Sequence, residues 1–179
     1  MPVAGIEVDF AVDSTGFRTT QFNAYNGAKH GQKKEHQWVK AHLCAGVKTN
    51  IVAAVAITDS NGGDSPQFGP LEKKTAEGFT INGVSADLAY SSRNNLQLVA
   101  NTHYFQLNRD EFMDHCHKRS NIEATNAAIK RKFGETLKSK NPTAQANELL
   151  AKIIAYNLTV VIHEMYKNGI NPDFLHARE

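Results

Sequence analysis

Ile6-Glu7-Val8-Asp9-Phe10-Ala11-Val12-Asp13, running into Ser14-Thr15-Gly16, is the stretch that decides the fold class. Apolar side chains at 6, 8, 10 and 12 alternate with Glu7, Asp9, Ala11 and Asp13. Period two in β-branched and aromatic residues is the pattern of a strand. Ser14-Thr15-Gly16 reads as a turn, which would leave Asp13 at the strand's carboxyl end.

Outward from this strand, the stretch from Arg18 to His36 is polar and basic and reads as an extended loop. Trp38 to Ala45 and Ile51 to Thr58 form a β-hairpin through Gly46-Val47-Lys48-Thr49-Asn50. A short helix is expected from about Ser65 to Glu77, although Gly69-Pro70 lies inside it. Gly83 to Ala86 reads as a short buried strand that delivers Asp87, and Ser91 or Ser92 can cap a helix carrying Leu96, Leu98 and Val99. Beyond an ambiguous stretch, helix is expected from Arg109 onward.

Asn121 to Leu137 is the clearest amphipathic helix. At about 100° per residue, Ile122, Ile129 and Phe133 make one apolar stripe, and Arg119, Glu123 and Lys130 lie on a second stripe beside it. Gly134 costs helix propensity there without having to end the helix. Asn141-Pro142 opens a last helix, burying Leu150, Ile153, Ile154, Leu158, Val161 and Met165, and Gly169 closes it. Strand, hairpin, helix, strand and further helices describe one α/β domain spanning 1–179.

Composition narrows the function less. A formal charge of +2 over 179 residues does not announce a nucleic-acid binder. Placement matters more: Lys29, Lys33 and Lys34 form one basic run, and Lys130, Arg131, Lys132, Lys138 and Lys140 another. Such runs contact phosphates in some proteins and are merely solvated faces in more. Two cysteines, Cys44 and Cys116, suit a reducing, cytoplasmic compartment and give no disulfide framework. The first residues carry acids rather than the lysines of a leader, and polar residues interrupt the apolar stretch near Ile153 to Met165, so neither a signal peptide nor a membrane span is expected.

Three acids carry the chemistry. An Asp after a strand is commonly a turn residue or a cap, and a Glu on a helix is commonly solvated. Here two aspartates close separate strands, while Glu123 sits where a polar stripe meets a buried edge. If the strands are neighbours and the helix packs on the sheet, three carboxylates converge. Hard oxygen ligands of that kind select Mg²⁺ or Mn²⁺, and two ions about 3.5–4 Å apart can clamp both the attacking and the leaving oxygen of a phosphodiester.

The segments around these acids resemble those of DDE-type insertion-sequence transposases of bacteria and archaea. Val12-Asp13-Ser14-Thr15-Gly16-Phe17 is similar to their first motif, and Trp38-Val39-Lys40-Ala41-His42-Leu43 with Gly46-Val47-Lys48-Thr49-Asn50-Ile51-Val52 to the hairpin that follows. Ala86-Asp87-Leu88-Ala89-Tyr90-Ser91-Ser92-Arg93 resembles the second-aspartate motif. Lys118-Arg119-Ser120-Asn121-Ile122-Glu123, continuing to Lys130-Arg131-Lys132-Phe133-Gly134, keeps the family's Arg-x3-Glu-x6-Lys spacing, and Ala155-Tyr156-Asn157-Leu158 resembles the closing helix.

The resemblance implies an RNase H-like mixed sheet flanked by helices. It implies Asp13, Asp87 and Glu123 as catalytic metal ligands for two Mg²⁺ or Mn²⁺ ions, and DNA as partner through transposon ends and target. Arg119 and Lys130 would contact phosphates by analogy, with Lys33, Lys34 and Arg131 as further DNA contacts. The implied activity is DNA cleavage and strand transfer in DNA transposition, in a nucleoid-associated prokaryotic protein. The rival reading is a catalytically inactive remnant that binds DNA or a partner subunit. Another RNase H-like nuclease is disfavoured by the Arg-x3-Glu-x6-Lys spacing.

Departures from the family pattern are equally specific. Cys116 stands where a tyrosine is usual, and Leu88 where a lysine is common. The stretch from Ala100 to Tyr104 is short enough to omit the last strand, leaving a sheet of four with an edge that invites a homodimer. No helix-turn-helix pattern supplies a separate DNA-end-recognition domain. His103, His115, Cys116 and His117 are too compressed for familiar zinc spacing. Neither cysteine is marked as an activated nucleophile. Asp64, after Gly62-Gly63, sits near the position of the family's acid after the third strand, and reads first as a helix cap.

Overall fold

The computed structural model describes residues 5–22, 36–102 and 109–173, with the side chains at 21, 22, 36, 100–102 and 109–119 left aside. Lys29, Lys33, Lys34 and His103 lie outside the described residues, as do the side chains of His115, Cys116, His117 and Arg119.

The decisive strand, β1 (Asp9–Phe22), does not turn at Ser14-Thr15-Gly16. It runs on because β2 (His36–Gly46) supplies an antiparallel partner from Phe10 to Arg18, Ser14 opposite His42, Thr15 opposite Ala41 and Gly16 opposite Lys40. Asp13 is therefore a mid-strand residue. Polar residues with turn propensity stay extended where a neighbouring strand satisfies their backbone groups, and here pairing overrides propensity.

β2 and β3 (Val52–Asp59) form the expected hairpin, turning where Asn50 takes φ 61°. The sheet order is β3-β2-β1-β4, where β4 (Gly83–Ala86) runs parallel to Asp9–Val12. A fifth strand, β5 (Thr136–Leu137), pairs parallel with Arg18 and Thr19. β4 and β5 thus share one edge of β1 at different heights, while β2 takes the other. The expected count of four is corrected to five. The extra strand comes from the chain after the long helix, and the 103–108 stretch lies outside the described residues. This is a mixed five-stranded sheet flanked by helices, consistent with an RNase H-like fold.

Alternation of side chains assigns the helices to faces. Even-numbered β1 residues face α1 (Phe68–Ala76): the Phe10 ring meets Phe79 just beyond it edge-on at 5.3 Å, and Cys44, level with Val12, bonds to Thr75. The helix α2 (Arg93–Thr102) packs against α1 and is capped by Ser92, whose hydroxyl accepts from the Asn95 amide at 3.1 Å. Odd-numbered residues face α3 (Arg109–Phe133) and α4 (Pro142–Lys167): Lys130 and Lys152 both stand over the Phe17 ring.

Three details of the helices and strands differ from expectation. β4 is half-buried at all four positions rather than buried, as befits a strand that, among the described residues, has a partner on one side alone. α3 stops at Phe133, because Gly134 adopts φ 80°, a left-handed conformation that ends helices, and the chain then turns into β5. Leu137 consequently lies in a strand. In α4 the buried positions are Gln145, Leu149, Ile153, Tyr156 and Val160, whereas Ile154 and Leu158 are 61% and 58% exposed. That helix is apolar on most sides, so composition alone did not reveal its inward face. Asn141 caps it as expected, accepting from Ala144 N at 2.7 Å.

Candidate active site

Register brings the two aspartates together. Val12 is level with Ala86 across the β1–β4 pair, so the next residue of each chain, Asp13 and Asp87, emerges on neighbouring strands about 5 Å apart in backbone. Asp87 keeps an extended backbone (φ −69°, ψ 160°) and continues the alternation of Ser85, which is level with Ala11. Both carboxylates therefore belong to the face that carries α3. Asp87 also accepts the amide hydrogen of Leu88, opening a 3₁₀ turn over Leu88–Tyr90.

The long helix supplies the third acid. Asn126 donates through Nδ2 to Asp13 Oδ2 at 3.0 Å, which fixes the side of α3 that meets β1. Asn121 donates to Val47 O at 2.8 Å and Thr125 to Asn50 Oδ1 at 3.4 Å, so that flank of the helix faces the β2–β3 turn. At about 100° per residue, Glu123 lies about 60° from Asn126 on the opposite flank, toward β4 and Asp87. Lys130 falls on the same stripe and stands 5.5 Å from the Phe17 ring centroid. Glu123 itself is exposed.

Among the described residues, no three His, Cys, Asp or Glu side chains converge closely enough to hold one ion. The backbone arranges the three acids around one corner of the sheet, but their side-chain conformations do not gather. The donor set still suits a hard divalent cation, being carboxylate oxygens throughout, and one more acceptor stands beside it: Asn126 Oδ1 is buried with no hydrogen-bond partner.

The basic residues divide. Lys130 is half-buried, while Arg131 and Lys132 are exposed near the end of α3, and Lys132 reaches Thr159 Oγ1 at 3.1 Å. Two clefts among the described residues, of about 320 and 280 Å³, are lined by residues other than Asp13, Asp87 and Glu123.

Several residues were not legible as site components. Asn126 was hidden in a stripe of helix positions, with no signal marking it. Asp64 is not the helix cap expected: its side chain makes no cap bond, and its Oδ1 instead lies 2.8 Å from Lys40 Nζ and 3.2 Å from His42 Nδ1. The tell was available in β2, where Lys40 and His42 share one face by period two. Burial raises the Asp64 carboxyl's pKa, but the Lys40 and Ser14 hydrogen bonds and the Lys40 and His42 charges outweigh it and leave that pKa lowered. Burial lowers the pKa of His42 against the opposing pull of Asp64. Cys44 is no nucleophile, since burial pushes its thiol up to about 12.

No helix among the described residues is long and apolar enough to cross a membrane. Residues 5–158 match the family described as Transposase DDE domain, a span holding both strand-borne aspartates, the helix-borne glutamate and the closing helix as far as Leu158; the chain belongs to that family.

Proposed function

We propose that this chain cuts and joins DNA strands through a pair of divalent ions held by Asp13, Asp87 and Glu123. The observation that carries this reading is the register of β1 and β4, which sets two aspartates side by side beneath the helix that bears the glutamate. Mg²⁺ or Mn²⁺ in that corner would supply a nucleophilic oxygen and neutralise charge on the phosphodiester. The chain's own contributions are separable. Asn126 holds Asp13 from the helix side, Lys130 and Arg131 present positive charge along the same helix, and Arg119 lies about three turns before Lys130 on its stripe. We assign these, with Lys33 and Lys34, to the DNA backbone.

A second reading, an inactive remnant that binds DNA or a partner subunit, is favoured by one specific observation: the three carboxylates do not gather. Cys116 in place of tyrosine and Leu88 in place of lysine point the same way.

Nicking of supercoiled plasmid separates the two. The active reading expects relaxation with Mg²⁺ or Mn²⁺ and none with Ca²⁺. Mg²⁺ demands near-octahedral geometry at about 2.0–2.1 Å, whereas Ca²⁺ accepts looser shells that misplace the attacking water. Salt-sensitive DNA binding with no metal-dependent nicking would establish the inert reading instead.

A further inference from the structure

Behind the carboxylates, on the opposite face of the sheet, lies a buried polar network that the proposed chemistry does not use. Ser14, His42 and Lys40 line that face because Ser14 is level with His42 and Gly16 with Lys40. Asp64, from the loop after β3, bridges Lys40 and His42. His42 is fully buried, with Nε2 3.0 Å from Thr58 Oγ1 and Nδ1 3.3 Å from the Tyr90 hydroxyl. Ser14 hydrogen-bonds both Asp64 and Tyr90. Asn95 closes the set, donating to Tyr90 O at 2.7 Å and Ser65 O at 2.9 Å.

Apolar residues would cover this face at lower cost, since buried polar groups stabilise little unless every partner is in place. What the network gains is connection. Ser14 is the residue after Asp13, and Tyr90 closes the short turn that Asp87 opens. Asp87 has left the β1–β4 ladder, and the next two residues, Leu88 and Ala89, are exposed and anchor nothing. Tyr90, 2% exposed, is the first side chain after Asp87 that is fixed in the core. We propose that Tyr90, held by His42 and Ser14, which Asp64 in turn engages, is a positioning residue that sets Asp87 beside Asp13 for joint metal binding.

This inference rests on the carboxylate reading above, and a binding measurement separates the two. Free Mn²⁺ is followed by its paramagnetic resonance signal during titration of the wild type and of Asp13→Asn, Tyr90→Phe, Asp64→Asn and Val160→Ala, with a melting curve for each. Asp13→Asn identifies which binding belongs to the carboxylates. Removing the partner that orients a ligand typically weakens metal binding by about 10–100-fold, so Tyr90→Phe and Asp64→Asn should each weaken Mn²⁺ binding by about tenfold. Val160→Ala, which trims the core in α4 away from the network, should lower the melting temperature and leave Mn²⁺ affinity unchanged. Wild-type binding that is lost in Asp13→Asn but kept within about twofold in Tyr90→Phe and Asp64→Asn would overturn the inference and leave the carboxylate reading standing. An equal loss in Val160→Ala would also overturn it, because the effect would then be one of stability. A wild type without Mn²⁺ binding would remove both.

Discussion

Asp13→Asn should abolish metal-dependent nicking while leaving non-specific DNA binding intact. The substitution is nearly isosteric and mid-strand, with β1 paired to β2 on one side and β4 on the other, so the sheet tolerates it. The amide retains an oxygen that can accept from Asn126. What it loses is a full negative charge from a ligand expected to serve the ions, and a two-metal site depends on such charge. Binding to DNA draws instead on lysine and arginine contacts with phosphates, and the number of these sets how steeply affinity falls with salt. Wild type and variant should therefore give parallel salt dependences on labelled duplex, with only the wild type relaxing plasmid. Relaxation by the variant at wild-type rate would remove Asp13 from the chemistry.

The largest stability effect outside the site should come from Glu7→Ala. Glu7 is fully buried just ahead of β1, and its Oε2 accepts from Lys48 N at 3.0 Å, Thr49 N at 2.9 Å and Thr49 Oγ1 at 2.9 Å. It thereby binds the start of the first strand to the turn of the β2–β3 hairpin. Gly46 leaves the space for it, since a Cβ there would run into the Glu7 side chain. Truncation removes these bonds and leaves the buried Thr49 amide without its partner. Hydrogen bonds to charged groups contribute about 1.5–3 kcal/mol, so a loss on the order of 3 kcal/mol is expected. For a chain of this size that corresponds to a melting temperature lower by roughly 6–12 °C. A shift under about 2 °C would show that the turn holds itself.

Much of this molecule was legible in its residues, for physical reasons that can be named. Period-two alternation gave β1, and the apolar runs on either side of Gly46–Asn50 gave the hairpin. Asn141-Pro142 and Gly169 marked the ends of α4 because caps are local chemistry. Failures arose where tertiary pairing decides. Ser14-Thr15-Gly16 has the composition of a turn and lies in the longest strand, because β2 pairs with it throughout. Gly134 was tolerable as an interior helix residue by propensity, yet it takes a left-handed conformation that frees Thr136 and Leu137 to pair with β1.

The site divides along the same line. Asp13, Asp87 and Glu123 stood out by their motifs and by their places at strands and on a helix. The polar residues around them did not. Asn126 meets Asp13 from a helix more than a hundred residues away, and nothing in its spacing predicts that contact. Asp64 looked like a cap since it precedes a helical turn, whereas its carboxylate is drawn across the sheet to Lys40 and His42. Glu7 gave no sign beyond alternation, being one of three acids in a strand-like stretch. Long-range polar pairing is the part of a fold that periodicity does not encode.

The central claim is that Asp13, Asp87 and Glu123 share a pair of ions, and anomalous scattering from crystals grown with Mn²⁺ tests it most directly. Two peaks about 3.5–4 Å apart are expected at the corner between β1, β4 and α3, with Glu123 turned inward to meet them. Asp13 should touch both ions and remain bonded to Asn126. Peaks bound elsewhere on the chain, or density at Asp13 and Asp87 with Glu123 still directed into solvent at saturating Mn²⁺, would contradict the shared site.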